Sequence, residues 1–193
     1  MATKFQYLNL YVLTHTETYY NRKRIFTGQL DSRLTPLGQK QAKKQGKKLQ
    51  DKKIDWAFVS PLKRTWETLE YIKASHPQLK VIVDKRLTER DYGYLSGHSK
   101  VKYRTAHPGF YKVYHRSYET PPPRGESMIE VEKRVLPALD DILSLMRKQK
   151  ANAIIVAHNN SVRPIRRYFE KMAAQEMMNQ DNYHKIFTYK IKA

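Results

Sequence analysis

Three short apolar runs constrain this 193-residue chain most: Tyr7 to Leu13, Trp56 to Val59 and Ala153 to Ala157. Each is shorter than a core helix and bounded by polar segments, so each reads as a buried strand. Val81-Ile82-Val83 is a shorter fourth run, and Ile186 to Ile191 a fifth. Helical patterns lie between them. Thr35-Pro36-Leu37 and Ser60-Pro61-Leu62 both offer a hydroxyl N-cap followed by proline at the first helical position. Apolar or small residues recur at Leu37, Ala42, Gly46 and Leu49 in the first helix, and at Leu62, Trp66, Leu69 and Ile72 in the second. Ser127 and Glu130 form a capping box that opens a third helix, with Val131, Val135, Leu139, Ile142 and Met146 inward and a kink expected at Pro137. A fourth helix is expected near Asn160. Strands alternating with helices predict an α/β fold: a three-layer α/β/α sandwich with a mostly parallel central sheet and helices on both faces. One domain over residues 1–193 is expected, with the Pro121-Pro122-Pro123 region from Leu87 to Arg124 as a loop-rich cap.

Composition narrows the setting. The formal net charge is +19, from 37 basic and 18 acidic residues, and it favours anionic partners. The basic residues are dispersed, in small clusters such as Lys43-Lys44 and Lys47-Lys48, so a small anionic phosphorylated substrate is expected rather than nucleic acid. There is no cysteine, so thiolate and disulfide chemistry are excluded. The N-terminal sequence lacks a signal-peptide pattern, and no apolar stretch approaches the roughly 20 residues of a membrane span. A cytoplasmic protein without membrane attachment is the expectation.

Ligands of such sheets bind beyond the carboxyl ends of the strands. His15 follows the first strand and His158 follows the run AIIVA, so both are expected to face one crevice. A neutral imidazole is a competent nucleophile toward phosphorus, and a covalent intermediate divides one difficult step into two. The transferring group needs positive charge and N–H donors. Arg64, in the first turn of a helix, Asn21 and the backbone of Thr27-Gly28 are candidates for that task. Glu89, beside Arg90, is the candidate acid for the leaving oxygen, although such neighbours are often a solvated pair.

The segment LYVLTHTETYYNRKRIFTGQLDSRLTPLGQKQA resembles the opening of the histidine phosphatase (phosphoglycerate mutase-like) superfamily. SPLKRTWET, LTERDYGYLSG and VAHNNSVR resemble its later motifs in order and spacing. The resemblance implies that His15 is the phosphorylated nucleophile and Arg64 a phosphate ligand. It implies that Glu89 is the proton donor, His158 the second histidine of the phosphate site and Asn21 a further contact. ERDYGYLSGHSK and HRSYETPPP are similar to the cofactor-dependent phosphoglycerate mutases. There Arg90, Tyr92, Lys100 and Arg116 would hold the substrate's carboxylate and distal phosphate, and Asn159 and Asn160 would line the site. The implied cofactor is a 2,3-bisphosphoglycerate primer, with no metal; relatives are often dimers or tetramers, so a homodimer is possible.

Three departures touch the phosphate site. The first motif reads Thr14-His15-Thr16 where the family has Arg-His-Gly, and Asn159 replaces a glycine. The arginine that clamps the phosphoryl group is therefore missing, with Lys63, Arg22, Lys23 or Arg24 as candidate replacements. The chain also runs directly from PPPR to GESM and has no C-terminal tail after the fifth strand, which favours water entry and hydrolysis. Three readings follow: a mutase interconverting 3- and 2-phosphoglycerate, a phosphatase of small phosphorylated metabolites, or an impaired relative that binds phosphorylated ligands or nucleic acid.

Overall fold

The computed structural model describes residues 6–193. Its sheet has five strands: β1 (Tyr7–Thr14), β2 (Trp56–Val59), β3 (Lys80–Val83), β4 (Ala153–Ala157) and β5 (Ile186–Lys192). Their spatial order is β3-β2-β4-β1-β5, parallel throughout except that β5 runs antiparallel to β1. The parallel strands need crossover helices, which the intervening segments provide: α2 (Pro36–Leu49), α3 (Lys63–Lys73), α6 (Met128–Gln149) and α7 (Asn159–Glu170).

Side-chain alternation divides each central strand between two cores. Leu10 and Val12 of β1, with Ile155 of β4, pack under Val135, Leu139 and Ile142 of α6 and Val162 and Ile165 of α7. Tyr11, Leu13, Ile154 and Val156 face the other way, against Leu49 of α2 and Leu69 and Ile72 of α3. Both faces of β4 are buried, which is why AIIVA carries no polar alternation. The result is the expected three-layer sandwich. Among the described residues no helix is long and apolar enough to cross a membrane.

Two local expectations are corrected. Ser60 does not cap a helix: α3 begins at Lys63, with Leu62 at the N-cap position and no side-chain cap. The Ser60 hydroxyl is instead engaged by Thr65 and by His158 across the sheet. The stretch from Leu87 to Arg124 is also not mainly loop, since it contains a single 3-10 turn at Gly93–Leu95, α4 (Lys100–Ala106) and α5 (Pro108–Arg116). Ser99 caps α4, and Pro108 supplies the fixed φ that starts α5. The long helix α6 opens with the Ser127–Glu130 capping box and continues through Pro137 to Gln149. Two short helices complete the set, α1 (Tyr19–Arg22) and α8 (Ala174–Asn179).

The contact of α2 with α3 rests on Gly46. A Cβ there would stand 2.3 Å from the Tyr71 carbonyl oxygen, a backbone atom that no rotamer change can move. Gly46→Ala would gain up to about 1 kcal/mol of helix propensity, but overpacking costs about 1–3 kcal/mol. Gly46→Ala is expected to lower stability, seen as a lower urea midpoint with unchanged slope; a raised midpoint would mean that the helices part at no cost.

Candidate active site

The site begins with strand pairing. Thr14 is in register with Ala157, and the next amide, His15 N–H, donates to the Ala157 carbonyl at 2.9 Å. The pairing sets His15 and His158 side by side beyond the strand ends, with ring centroids 5.2 Å apart and planes 61° to one another. Both rings are buried.

Hydrogen bonds assign the protons on each ring. His15 Nδ1 is 2.8 Å from the Thr16 carbonyl, which only accepts, so Nδ1 carries the hydrogen and Nε2 keeps its lone pair. At His158, Nδ1 accepts from Arg64 Nε at 3.2 Å, so Nε2 is the protonated nitrogen and donates to Ser60 Oγ at 2.8 Å. Arg64 is itself buried at the start of α3, and its other nitrogens donate to the carbonyls of Leu30 and Gly28 at 2.8 and 2.7 Å. Gly28 adopts φ +51°, in the left-handed region, and a Cβ there would lie 2.9 Å from Ser96 Oγ. Backbone freedom at Gly28 thus lets its carbonyl face Arg64.

Burial, followed by the Arg64 charge, lowers the His15 pKa to about 3. The same two causes hold His158 well below the ordinary histidine value. A buried imidazole beside a guanidinium resists a second positive charge. His15 therefore stays neutral across the physiological range, the state in which an imidazole can act as a nucleophile. The unfolded chain takes up this proton near pH 6.5 and the folded chain only near 3, so the favourable term is complete above 6.5 and is lost between those values as pH falls.

A cavity of about 370 Å³ is lined by His15 and Arg64, with His158 behind them. Glu89 is buried on its wall, not solvated, and its Oε1 accepts from the backbone N–H groups of Arg90 and Asn160 at 2.7 and 3.2 Å. The second of these donors lies in the first turn of α7, where the helix dipole favours negative charge. Asn21, Thr27, Gly28, Tyr92, Lys100, Arg116, Asn159 and Asn160, all singled out in the sequence, also line the cavity. Asn21 Oδ1 is already engaged by the backbone and hydroxyl of Thr18. Arg90 is absent from the lining: it is buried behind Tyr92, with Nε donating to the Glu126 carbonyl at 2.6 Å.

None of the four proposed replacements for the missing arginine reaches the lining. Arg22 pairs at the surface with Glu17, and Lys63, Lys23 and Arg24 are exposed. Thr14 is buried, and its hydroxyl faces the Asn182 carbonyl at 3.5 Å. Residues that sequence reasoning missed are also present: His115, Arg163, Asn179, Gln180, Asp181 and Tyr183. Arg163 was legible in principle, being one helical turn from Asn159 and Asn160. The segment before β5 carries no motif and was not.

The lining has two charged ends. Arg64 lies with His15 and His158 at one. At His115, which shares the lining with Lys100, Arg116 and Arg163, burial and then the charges of those three cations lower the pKa to about 3. Arg163 is buried, donating to Asn160 Oδ1 at 2.6 Å and to the Gln180 carbonyl at 3.1 Å. Among the described residues His115 Nδ1 and Arg163 Nε are buried without a hydrogen-bond partner.

Comparison with known proteins gives the family and the fold. A family model described as the histidine phosphatase superfamily (branch 1) matches residues 10–187. The 2,3-bisphosphoglycerate-dependent phosphoglycerate mutase of Rhizobium rhizogenes is 38% identical over 177 residues, covering 88% of this chain and 82% of that protein. The protein of the same name from Cytophaga hutchinsonii is 33% identical over 174 residues, covering 89% and 82%. Among solved structures, a mycobacterial glucosyl-3-phosphoglycerate phosphatase superposes with a TM-score of 0.82 at 22% identity, covering 95% of this chain and 90% of that one. Bacillus stearothermophilus YhfR gives 0.83 at 24% identity, covering 94% and 90%. At those identities the structural likeness speaks for the fold alone.

Two outcomes are expected. The His15 and His158 ring resonances should not titrate between pH 5 and 8 by NMR, and a midpoint near 6.5 for either would contradict their burial beside Arg64. Thr14→Arg should reduce activity at least tenfold, because the longer side chain must displace Asn182; faster turnover would mean that a guanidinium fits beside His15 without that cost.

Proposed function

The chain belongs to the histidine phosphatase superfamily, and we propose that it interconverts 3- and 2-phosphoglycerate through a phosphohistidine at His15. The observation that carries this reading is the two-ended charge of the cavity. A three-carbon acid phosphate is anionic at both ends, and Arg64 with His15 lines the cavity in one group while Lys100, Arg116 and Arg163 line it in another. The unpartnered His115 Nδ1 and Arg163 Nε at the second end also suit a molecule phosphorylated twice. A 2,3-bisphosphoglycerate primer would be held by Arg64 at one end and by Lys100 and Arg116 at the other, and when bound it supplies the phosphoryl group that charges His15.

The chain's own groups account for the steps that follow. Substrate is oriented by the distal cations so that its free hydroxyl faces phospho-His15. Glu89 takes the hydroxyl proton as the oxygen–phosphorus bond forms and the Nε2–phosphorus bond breaks. In the reverse sense His15 Nε2 attacks the other phosphoryl group, and Glu89 returns the proton to the leaving oxygen. The Thr16 carbonyl holds the His15 ring by Nδ1–H throughout and favours the positive charge it gains on phosphorylation. His158, kept neutral and protonated at Nε2 by Arg64 and Ser60, keeps the second ring from competing for charge. Arg64 balances the equatorial oxygens.

A phosphatase reading has one observation in its favour. The cap helices α4 and α5 contain no buried residue, so they cover the cavity without sealing it. A phosphohistidine open to water is hydrolysed.

The two are separated by product. With 3-phosphoglycerate and catalytic 2,3-bisphosphoglycerate, 2-phosphoglycerate is expected to form faster than inorganic phosphate, and His15→Ala should lower the rate by at least about 10³-fold. Phosphate release without 2-phosphoglycerate would replace the mutase reading with the phosphatase one. Neither product, or full activity in His15→Ala, would overturn both.

A further inference from the structure

The His15 end of the cavity is poorer in free donors than its chemistry asks. Arg64 is its buried cation, and three of the five guanidinium N–H bonds are committed to His158, Leu30 and Gly28. Position 14 carries an uncharged threonine turned toward Asn182. A transferring phosphoryl group presents three equatorial oxygens, so a further donor is needed.

Tyr183, in the connection between α8 and β5, is on the cavity wall with His15, Arg64 and Glu89. Among the described residues its hydroxyl has no hydrogen-bond partner. Glu89, Tyr92, Arg163 and Arg64 all act on the phenol electrostatically, and all four share the cavity wall with it.

The residue before it is what fixes this placement. Asn182 is fully buried, and its backbone N–H and side-chain Nδ2 donate to the Oδ1 and carbonyl of Asn159 at 3.3 and 3.1 Å. Its Oδ1 accepts from Arg166 Nη1 at 2.8 Å, and its carbonyl faces the Thr14 hydroxyl. Thr14 and Asn159, two of the unusual residues of the strand-end motifs, thus close on one asparagine. A glycine at 159 would lack the carboxamide that accepts from the Asn182 amide, and an arginine at 14 would occupy the space the segment fills.

We propose that Tyr183 is a further substrate-contacting residue, whose hydroxyl donates a hydrogen bond to the phosphoryl oxygens beside His15, and that Asn182, locked by Thr14 and Asn159, is the residue that positions it. Thr14 and Asn159 are then parts of a rebuilt phosphate site and not signs of decay. Burial, with Glu89 as the second cause, raises the Tyr183 pKa, so the phenol keeps its proton and remains a donor at neutral pH. The proposal rests on the reading of His15 as the phosphoryl acceptor.

Orthovanadate, which takes the five-coordinate geometry of a transferring phosphoryl group, is the probe. By titration calorimetry Tyr183→Phe, which removes one oxygen and keeps the ring, should bind it about tenfold more weakly, with an unchanged thermal midpoint. Asn182→Ala should lose at least as much, and the double variant no more than Asn182→Ala alone, because both changes remove one contact. Wild-type affinity in Tyr183→Phe, or additive losses in the double variant, would overturn the proposal. Activity assays separate the two claims. A wild type that turns over substrate while Tyr183→Phe matches it in vanadate affinity refutes only the tyrosine contact. A wild type that neither isomerises nor releases phosphate, yet loses vanadate affinity in Tyr183→Phe, refutes only the function.

Discussion

The hydrogen bond from the His15 amide to the Ala157 carbonyl, 2.9 Å long, is the contact on which the site depends. It continues the parallel β1–β4 ladder one residue past its last paired positions, and so brings two histidines far apart in sequence to the same height at the sheet's carboxyl edge. A one-residue slip in that ladder would turn each side chain to the opposite face, sending Leu13 and Val156 out of one core and Leu10 and Ile155 out of the other. The two hydrophobic cores therefore hold the register, and the register holds the histidines. The antiparallel β5 then returns the chain along β1, so the segment just before it, with Asn182 and Tyr183, ends over the same crevice.

Charge inside this site is arranged by taking it out of water. Among the described residues Arg64 and Arg163 are buried without an aspartate or glutamate ion-pair partner, each held by carbonyl or amide oxygens that satisfy hydrogen bonds without neutralising the charge. A buried cation so held is costly until an anion neutralises it, so the cavity favours anionic groups. Burial, with the Arg64 charge second, keeps His15 and His158 neutral, the state in which an imidazole can act as a nucleophile. The overall charge of +19 reinforces the attraction at long range, but the selectivity lies in the buried groups.

The five strands and the two helix-bearing faces were legible in the sequence because β4 is uniformly apolar and the longer helices keep strict spacing. The strand-end histidines followed from the same pattern, and Arg64 from its place at a helix start. Ser60 misled because a serine before proline looks like a cap, and only the tertiary partner His158 shows where its hydroxyl goes. Arg90 misled in the opposite sense: its neighbour Glu89 faces the cavity, but the guanidinium is drawn behind Tyr92 by the Glu126 carbonyl. Tyr183 was illegible because its placement comes from four hydrogen bonds to Asn182 that link residues distant in sequence. The unusual Thr14 and Asn159 could be seen in the sequence, but their common partner could not.

The central claim is that His15 accepts the phosphoryl group at Nε2, the nitrogen left free by the Thr16 carbonyl. Its most direct test is to charge the protein with 2,3-bisphosphoglycerate, quench in alkali, and locate the label by peptide mapping and phosphorus NMR. The account predicts one phosphohistidine, at His15, substituted at Nε2. A label at Nδ1, a label on His158, or an unlabelled protein that still turns over substrate would contradict it.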